Sequence, residues 1–196
     1  MSNRRRLPRK GTDLGDKDLV DGLRRQDVDA LDGLLRRHGA EIHAVAFLIL
    51  RNEADAEETV ADTLLVAWRK AAAIRDAERL RPWLLTTASR IALRRRRRFR
   101  PNVVSLESAG DVPSRDRSTI ERLDLRDAIN DLPPRMRAVL ALHDVADLPL
   151  AAVAEALGRS ENTVKSQLRE ARARLRVAFA DPVESTDRDT RPGSGR

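Results

Sequence analysis

Two blocks of apolar residues at helical spacing, separated by a stretch with no sustained period, constrain the fold of this 196-residue chain most strongly. The blocks span residues 16–98 and 119–180, and apolar residues that recur every three or four positions predict amphipathic helices. Residues 99–118, FRPNVVSLESAGDVPSRDRS, hold two prolines, one glycine and four serines, which is typical of a linker. The sequence therefore predicts an all-α protein of two small helical domains joined by a flexible tether.

Composition narrows the class of protein further. Aromatic residues make up 3% of the chain, which disfavours strands, because these usually draw on aromatic and β-branched residues. The absence of cysteine excludes disulfides and thiolate metal sites and is compatible with a reducing cytoplasm. The formal net charge of +7 indicates a polyanionic partner.

The two ends of the chain are predicted to be disordered tails, at residues 1–13 and 181–196, because both are polar and lack a helical period. The basic N-terminus is followed by Gly, Thr and Asp rather than by the apolar stretch of a signal peptide. The longest apolar run, residues 44–50, is far too short for a membrane span. We therefore expect a soluble, cytoplasmic protein with no membrane partner.

The strongest local motif is residues 152–175, AVAEALGRSENTVKSQLREARARL. A helix-turn-helix needs a small residue where its helices touch, a glycine in the turn and a branched apolar residue on the second helix. Ala154, Gly158 and Val164 meet these needs at the right spacing. An ordinary helical hairpin with a solvated basic face is the alternative, and the complete set of spacings favours DNA binding over it.

Two charged segments of opposite sign lie in the first block. Residues 90–100 hold seven positive charges and no negative one, more than a helix dipole can use, so we favour a salt-sensitive nucleic-acid contact over a merely hydrated helix end. Residues 53–62, EADAEETVAD, hold five acids and no base. A solvated face is the usual explanation for such a helix, but in a DNA-binding protein it also suits docking on a basic protein surface.

Catalysis finds no support in the sequence. No glycine-rich phosphate loop exists, and His38, His43 and His143 have no partners at metal-ligand spacing. No pair of carboxylates is placed at a predicted cleft. We expect no enzymatic activity, no metal and no cofactor.

The order of these features resembles the extracytoplasmic-function (ECF) subfamily of bacterial RNA polymerase sigma factors. An acidic DAEETVADTLLVAWR helix is followed by RPWLLTTASRIALRRRRR, a tether, LPPRMRAVLAL and the helix-turn-helix, so that the resemblance covers roughly residues 14–180. It implies sigma domain 2 at 14–100, a linker at 101–118 and sigma domain 4 at 119–180. The first domain would bind core polymerase and the minus-ten promoter element, and the second the minus-thirty-five element. An anti-sigma protein would be a further partner.

The resemblance also implies site residues, position by position. The residues expected to face the polymerase clamp are Asp55, Glu58, Thr59, Asp62, Val66 and Arg69. Those expected along the minus-ten strand are Trp83, Thr86, Ser89, Arg90, Arg94 and Arg95. Those expected to meet the minus-thirty-five duplex are Arg159, Asn162, Thr163, Lys165, Ser166 and Arg169. The sequence departs from the usual pattern of the family at Ala61, Leu64, Arg90, Arg94 and Leu150.

Three other functions are compatible with parts of the sequence. A two-domain helix-turn-helix regulator would bind operator DNA without joining the polymerase, usually as a dimer, but no dimerisation helix with heptad spacing is present. A nuclease with a helix-turn-helix appendage would need clustered carboxylates and a metal. An RNA-binding adaptor would explain the arginine run but not the acidic helix. The sequence thus favours a sigma factor that directs transcription initiation.

Overall fold

The computed structural model describes residues 15–74, 76–98 and 125–179. All regular structure in these ranges is helical, with no strand among them, as the aromatic-poor composition predicts. The predicted linker at 101–118 and both predicted tails lie outside the described residues. Where the chain is described, it contains no helix that is long and apolar enough to cross a membrane.

Four helices form the first unit, and the longest of them is central. They are α1 (Asp16–Arg24), α2 (Val28–Leu50), α3 (Glu53–Arg69) and α4 (Leu80–Arg98), with short 3₁₀ turns at Ala71–Ala73 and Ala77–Arg79. Helix α2 packs against the other three. Its inward stripe includes Ile42 and Ile49, which are fully buried together with Leu84 and Ala88 of α4. Burial of this stripe is what holds the unit together, because apolar area removed from water stabilises a fold in proportion to its size.

Local capping sets the sharp turn between α2 and α3. Helix α2 ends at Leu50, and Arg51, which follows it, adopts a left-handed conformation with φ 59° and donates its backbone N–H to the carbonyl oxygen of Phe47 at 2.8 Å. Asn52 caps α3, because its side-chain oxygen accepts the N–H of Asp55 at 2.9 Å. Helix α4 begins at Leu80, and Pro82 lies in its first turn, where proline is tolerated.

The described part of the second unit contains four more helices. They are α5 (Leu125–Asn130), α6 (Pro134–Leu140), α7 (Leu150–Leu157) and α8 (Glu161–Phe179), with a π-helical turn at Ala141–Val145 after α6. Helix α6 starts at Pro134, as the Leu-Pro-Pro sequence predicts. The π-turn was not predicted; in it the N–H of Ala146 bonds to the carbonyl of Ala141 at 3.0 Å.

The two units pack against each other, which the prediction of two tethered domains did not anticipate. Helix α6 lies between α8 of its own unit and α2 of the other, and α7 contacts α4. The five residues 136–140 are all buried, because a helix that is covered on two sides has no exposed stripe. The described residues therefore share one continuous apolar core.

Candidate nucleic-acid and protein interfaces

The helix-turn-helix has the geometry that its spacing predicts. Gly158 ends α7 in the left-handed region with φ 64°, where a side chain would be strained. The N–H of Arg159 bonds to the carbonyl of Ala154 at 2.9 Å, and closes the cap. Ser160 then caps α8, since its Oγ accepts the N–H of Thr163 at 3.2 Å. Val164 is fully buried between the helices, so the turn fixes how α8 is presented.

The outer face of α8 is open to solvent. Asn162, Lys165, Ser166 and Arg169 are exposed. Arg159 and Thr163 are half-buried, and the Thr163 hydroxyl lies 2.8 Å from that of Ser160. Amide, hydroxyl, ammonium and guanidinium groups on one helix face can donate hydrogen bonds to phosphates and base edges. The structure thus presents the predicted recognition residues together.

One exposed basic residue of α8, Arg172, is paired with a carboxylate of the same unit. The guanidinium of Arg172 donates to the carboxylate of Asp144 through Nε at 3.1 Å and Nη2 at 2.5 Å. These hydrogen bonds raise the pKa of Arg172 above its ordinary value. Because Asp144 lies in the π-turn, this pair ties the middle of α8 to the helix before the helix-turn-helix.

The N-terminal half of α4 presents a mixed surface. Trp83 and Thr86 are half-buried. Ser89 is fully buried, and its hydroxyl donates to the carbonyl of Thr86 at 2.9 Å. In this conformation Trp83 and Thr86 can reach a ligand, while the Ser89 side chain is used within the helix.

The arginine run at the end of α4 is divided among several directions, because successive residues of a helix point about 100° apart. Arg94, Arg97 and Arg98 are exposed. Arg96 is half-buried, and its Nη1 donates to the carbonyl of Leu50 at 3.4 Å. Arg95 points towards α3. The exposed members of the run remain available to a polyanion.

Three carboxylates of α3 converge on Arg95. Its guanidinium pairs with Glu58, with Asp62 at 2.7 Å and with Asp55 at 3.8 Å. The hydrogen bonds to Glu58 and Asp62 raise the pKa of Arg95, against a smaller opposing effect of burial. The Arg95 side chain is 14% exposed and that of Glu58 63%. The structure thus brings a residue predicted to contact DNA into the acidic surface predicted to contact protein.

The other predicted residues of α3 differ in accessibility. Thr59 is fully buried, and its hydroxyl donates to the carbonyl of Asp55 at 2.8 Å. Val66 is half-buried and Arg69 is exposed. Three carboxylates around one guanidinium leave a local charge of −2, so this face, defined by Asp55, Glu58 and Asp62 and called the acidic face below, stays anionic.

Sequence reasoning missed the contacts by which three arginines join the two units. Arg90 donates to the carbonyls of Ala156 at 2.8 Å and Glu155 at 3.0 Å. Arg81 donates to Glu41 and to the carbonyl of Ala146 at 2.8 Å. Arg137 is 2% exposed and donates to the carbonyl of Ile49 at 3.0 Å.

No sequence signal could have revealed these contacts between the units, because each uses a backbone carbonyl, which every residue carries. Within the described ranges, no group of three or more His, Asp or Glu side chains has an arrangement that could hold a metal ion.

Comparison with known proteins agrees with this architecture. Residues 34–100 match the family model for Sigma-70 region 2, and residues 122–175 match that for Sigma-70, region 4. The chain is 33% identical to the ECF RNA polymerase sigma factor SigM of Mycobacterium tuberculosis over 147 residues, which is 74% of this chain and 75% of that protein. It is 31% identical to SigL of the same species over 169 residues, 83% of this chain and 96% of SigL.

Among solved structures, the chain resembles the sigma factor RpoE of Bartonella quintana, determined in complex with the anti-sigma factor NepR. The TM-score is 0.55 with 26% identity, over 77% of this chain and 96% of that one. The regulator, nuclease and RNA-adaptor alternatives account for none of these matches. The chain belongs to the ECF RNA polymerase sigma factors, non-enzymatic proteins that direct transcription initiation.

Proposed function

We propose that this sigma factor reads the minus-thirty-five duplex with α8, holds the minus-ten strand along α4 and binds core polymerase through the acidic face. The observation that carries the proposal is the solvent-exposed polar face of α8. Helix α8 is the second helix of a helix-turn-helix whose turn is capped at Gly158 and Ser160. A helix presented in this way fits the major groove. Lys165 and Arg169 supply charge for phosphates and base edges, and Asn162 and Ser166 supply neutral hydrogen bonds.

Binding of the minus-ten strand is supported by the exposed part of α4. Trp83, in the first turn of α4, offers a half-buried ring on which a base can stack, and Arg94, Arg97 and Arg98 offer exposed charge at the other end of the same helix. Aromatic stacking combined with cations that follow a backbone is how proteins hold single strands. Arg90 is exposed too, although two of its nitrogen atoms donate to carbonyls of α7.

Binding of core polymerase is supported by the acidic face. Its net charge of −2 is kept although Arg95 neutralises part of it, and Glu58 remains largely exposed. An anionic helix on an otherwise basic protein would be steered towards a basic protein surface and away from DNA. We place the interaction in the cytoplasm, where the polymerase works.

The test begins with core polymerase, the purified chain and a library of genomic fragments. Transcripts that start at defined sites identify a promoter, and its minus-thirty-five duplex is then used to measure affinity. Lys165→Ala and Arg169→Ala should each weaken duplex binding about tenfold, because a good contact to a base or phosphate contributes about 1–3 kcal/mol. The matched control is Arg174→Ala, which removes equal charge from α8 but only breaks an exposed pair with Glu170.

The proposed polymerase surface is tested separately from the DNA surface. Replacing Asp55 and Glu58 with Lys should reduce co-purification with core polymerase without weakening duplex binding, because the added positive charge can only favour DNA. Unchanged affinity in both α8 variants would contradict the placement of the recognition helix. Normal co-purification of the charge-reversed chain would contradict the polymerase surface.

An anti-sigma protein completes the proposal. It is supported by the likeness to RpoE, whose structure was determined with the anti-sigma factor NepR. The chain isolated from its own host should carry a stoichiometric protein partner, and added core polymerase should displace that partner. A chain that is isolated alone under conditions that preserve its polymerase complex would contradict this part.

A further inference from the structure

We propose that Arg95 of α4 is part of the polymerase-binding surface and lowers the affinity of the chain for core polymerase, because its guanidinium occupies carboxylates of the acidic face. The sequence places Arg95 in the basic segment that is expected to follow the minus-ten strand, so the inference moves it from the DNA surface to the protein surface. The inference deepens the proposed function and rests on the placement of core polymerase at the acidic face.

The contacts of Arg95 all lead to α3. Its Nη1 pairs with Glu58 and lies 3.8 Å from Oδ1 of Asp55, and its Nη2 donates to Oδ2 of Asp62 at 2.7 Å. The Arg95 side chain is 14% exposed, so it has little contact with water. Both terminal nitrogens are thus committed to the acidic face, and the guanidinium is poorly placed to serve a DNA strand.

The acidic face places opposite demands on a cation at this position. Asp55, Glu58 and Asp62 follow one another at intervals of three and four residues on α3, and like charges at these spacings repel each other. An internal cation relieves this repulsion and stabilises the helix. The same cation lowers the local charge that a basic protein surface would meet from −3 to −2. Stability of the fold and affinity for a basic partner are therefore opposed.

The carboxylates remain open to a partner on their other side. The side chain of Glu58 is 63% exposed and that of Asp62 is 42% exposed. A carboxylate has about four lone-pair sites that accept hydrogen bonds, so a cation of another protein can bind the same groups. That cation must either share the carboxylates with Arg95 or displace it. In both cases the partner gains less than it would from unpaired carboxylates.

Removal of the internal cation should therefore strengthen binding of core polymerase. Arg95→Met keeps most of the length of the side chain but removes its charge. One unit charge acting over about 4 Å of water changes an equilibrium constant about fivefold, and we expect the dissociation constant of the polymerase complex to fall by that factor at low salt. The gain should largely disappear at about 1 M salt, where the Debye length is about 3 Å.

The sign of this change separates a tuning role from a merely structural one. Arg95→Met breaks ion pairs between α3 and α4, and damage to the surface could only weaken polymerase binding. A gain in affinity cannot arise from lost structure. Arg95→Lys supplies a second check, because it keeps a positive charge beside the carboxylates and should bind polymerase like the unaltered chain.

The experiment titrates the full chain, labelled at its N-terminus with a fluorophore, with purified core polymerase and follows anisotropy at low and high salt. Arg36→Met is the matched control, because it removes the same charge from an exposed pair with Asp32 on α2 and should leave polymerase affinity unchanged. The same chains are titrated with random-sequence single-stranded DNA. Arg95→Met should weaken strand binding no more than Arg36→Met does, whereas Arg94→Met should weaken it further.

Three results would overturn the inference. They are a dissociation constant that Arg95→Met leaves unchanged or raises, a gain in polymerase affinity that Arg36→Met reproduces, and a loss of strand binding in Arg95→Met as large as that in Arg94→Met.

The chain that carries Asp55→Lys and Glu58→Lys distinguishes these failures from failure of the proposed function. If it binds polymerase normally, the polymerase surface lies elsewhere and the proposed function and the inference are both wrong. If it binds polymerase weakly and Arg95→Met has no effect, the inference alone is wrong.

Discussion

Replacement of Arg137 should destabilise the protein strongly. Arg137 is 2% exposed, and its guanidinium donates to the carbonyls of Leu132 at 2.7 Å, Asn130 at 3.0 Å and Ile49 at 3.0 Å. Arg137→Met keeps most of the buried length but removes every donor. Two of these hydrogen bonds, to Leu132 and Ile49, are buried. Each carbonyl left without its donor costs about 1–3 kcal/mol, so the free energy of unfolding should fall by about 2–6 kcal/mol.

Urea denaturation followed by circular dichroism measures this loss. The matched control is Arg174→Met, because Arg174 makes only an exposed pair with Glu170 and should change the free energy of unfolding by less than about 0.5 kcal/mol. Because the Ile49 bond joins the two units, Arg137→Met should also split one transition into two. A variant that unfolds in one transition, with the stability of the control, would refute the argument that this guanidinium holds the units together.

Three further predictions concern single contacts. Gly158→Ala should lower the free energy of unfolding by about 1 kcal/mol from backbone strain alone, because no atom lies within 4 Å of an added Cβ; denaturation measures it, and an unchanged midpoint would contradict it. Arg95→Ala should destabilise by about 1–2 kcal/mol at low salt and less at 1 M salt, since the remaining carboxylates repel each other. A salt-independent loss would indicate packing instead. Asp144→Ala should free Arg172 and strengthen duplex binding a few-fold in a titration, whereas weaker binding would show that the pair orients α8.

The features that the sequence predicted well are local ones. The glycine turn at Gly158 depends on residue types within a few positions of each other, and the caps that the structure shows at Asn52 and Ser160 are local in the same sense. The same holds for the buried Val164, whose position follows from helical spacing. Such features can be inferred because the chemistry that fixes them lies within a single turn.

The contacts between the units could not be inferred in the same way. Arg90, Arg94 and Arg95 lie in one strongly basic segment of the sequence, yet the structure directs them to backbone carbonyls, to solvent and to the acidic face. Which of these a residue meets depends on helix rotation and on a partner helix that lies 33 residues away for Arg95 and 66 for Arg90. Counting charges therefore predicts the sign of the surface charge, but not which partner each arginine side chain contacts.

The burial of helix α6 between the two units limits how long a state with separated units can stay in solution. Its residues 136–140 are buried because α2 covers the side that α8 leaves uncovered. Separation of the units would expose the apolar side chains of α6, and the surface of α2 that they cover, to water. Exposed apolar patches of this kind promote aggregation. A state with separated units should therefore persist only where polymerase or another protein covers the exposed surfaces of α6 and α2. Separation of the units is then coupled to binding of that protein.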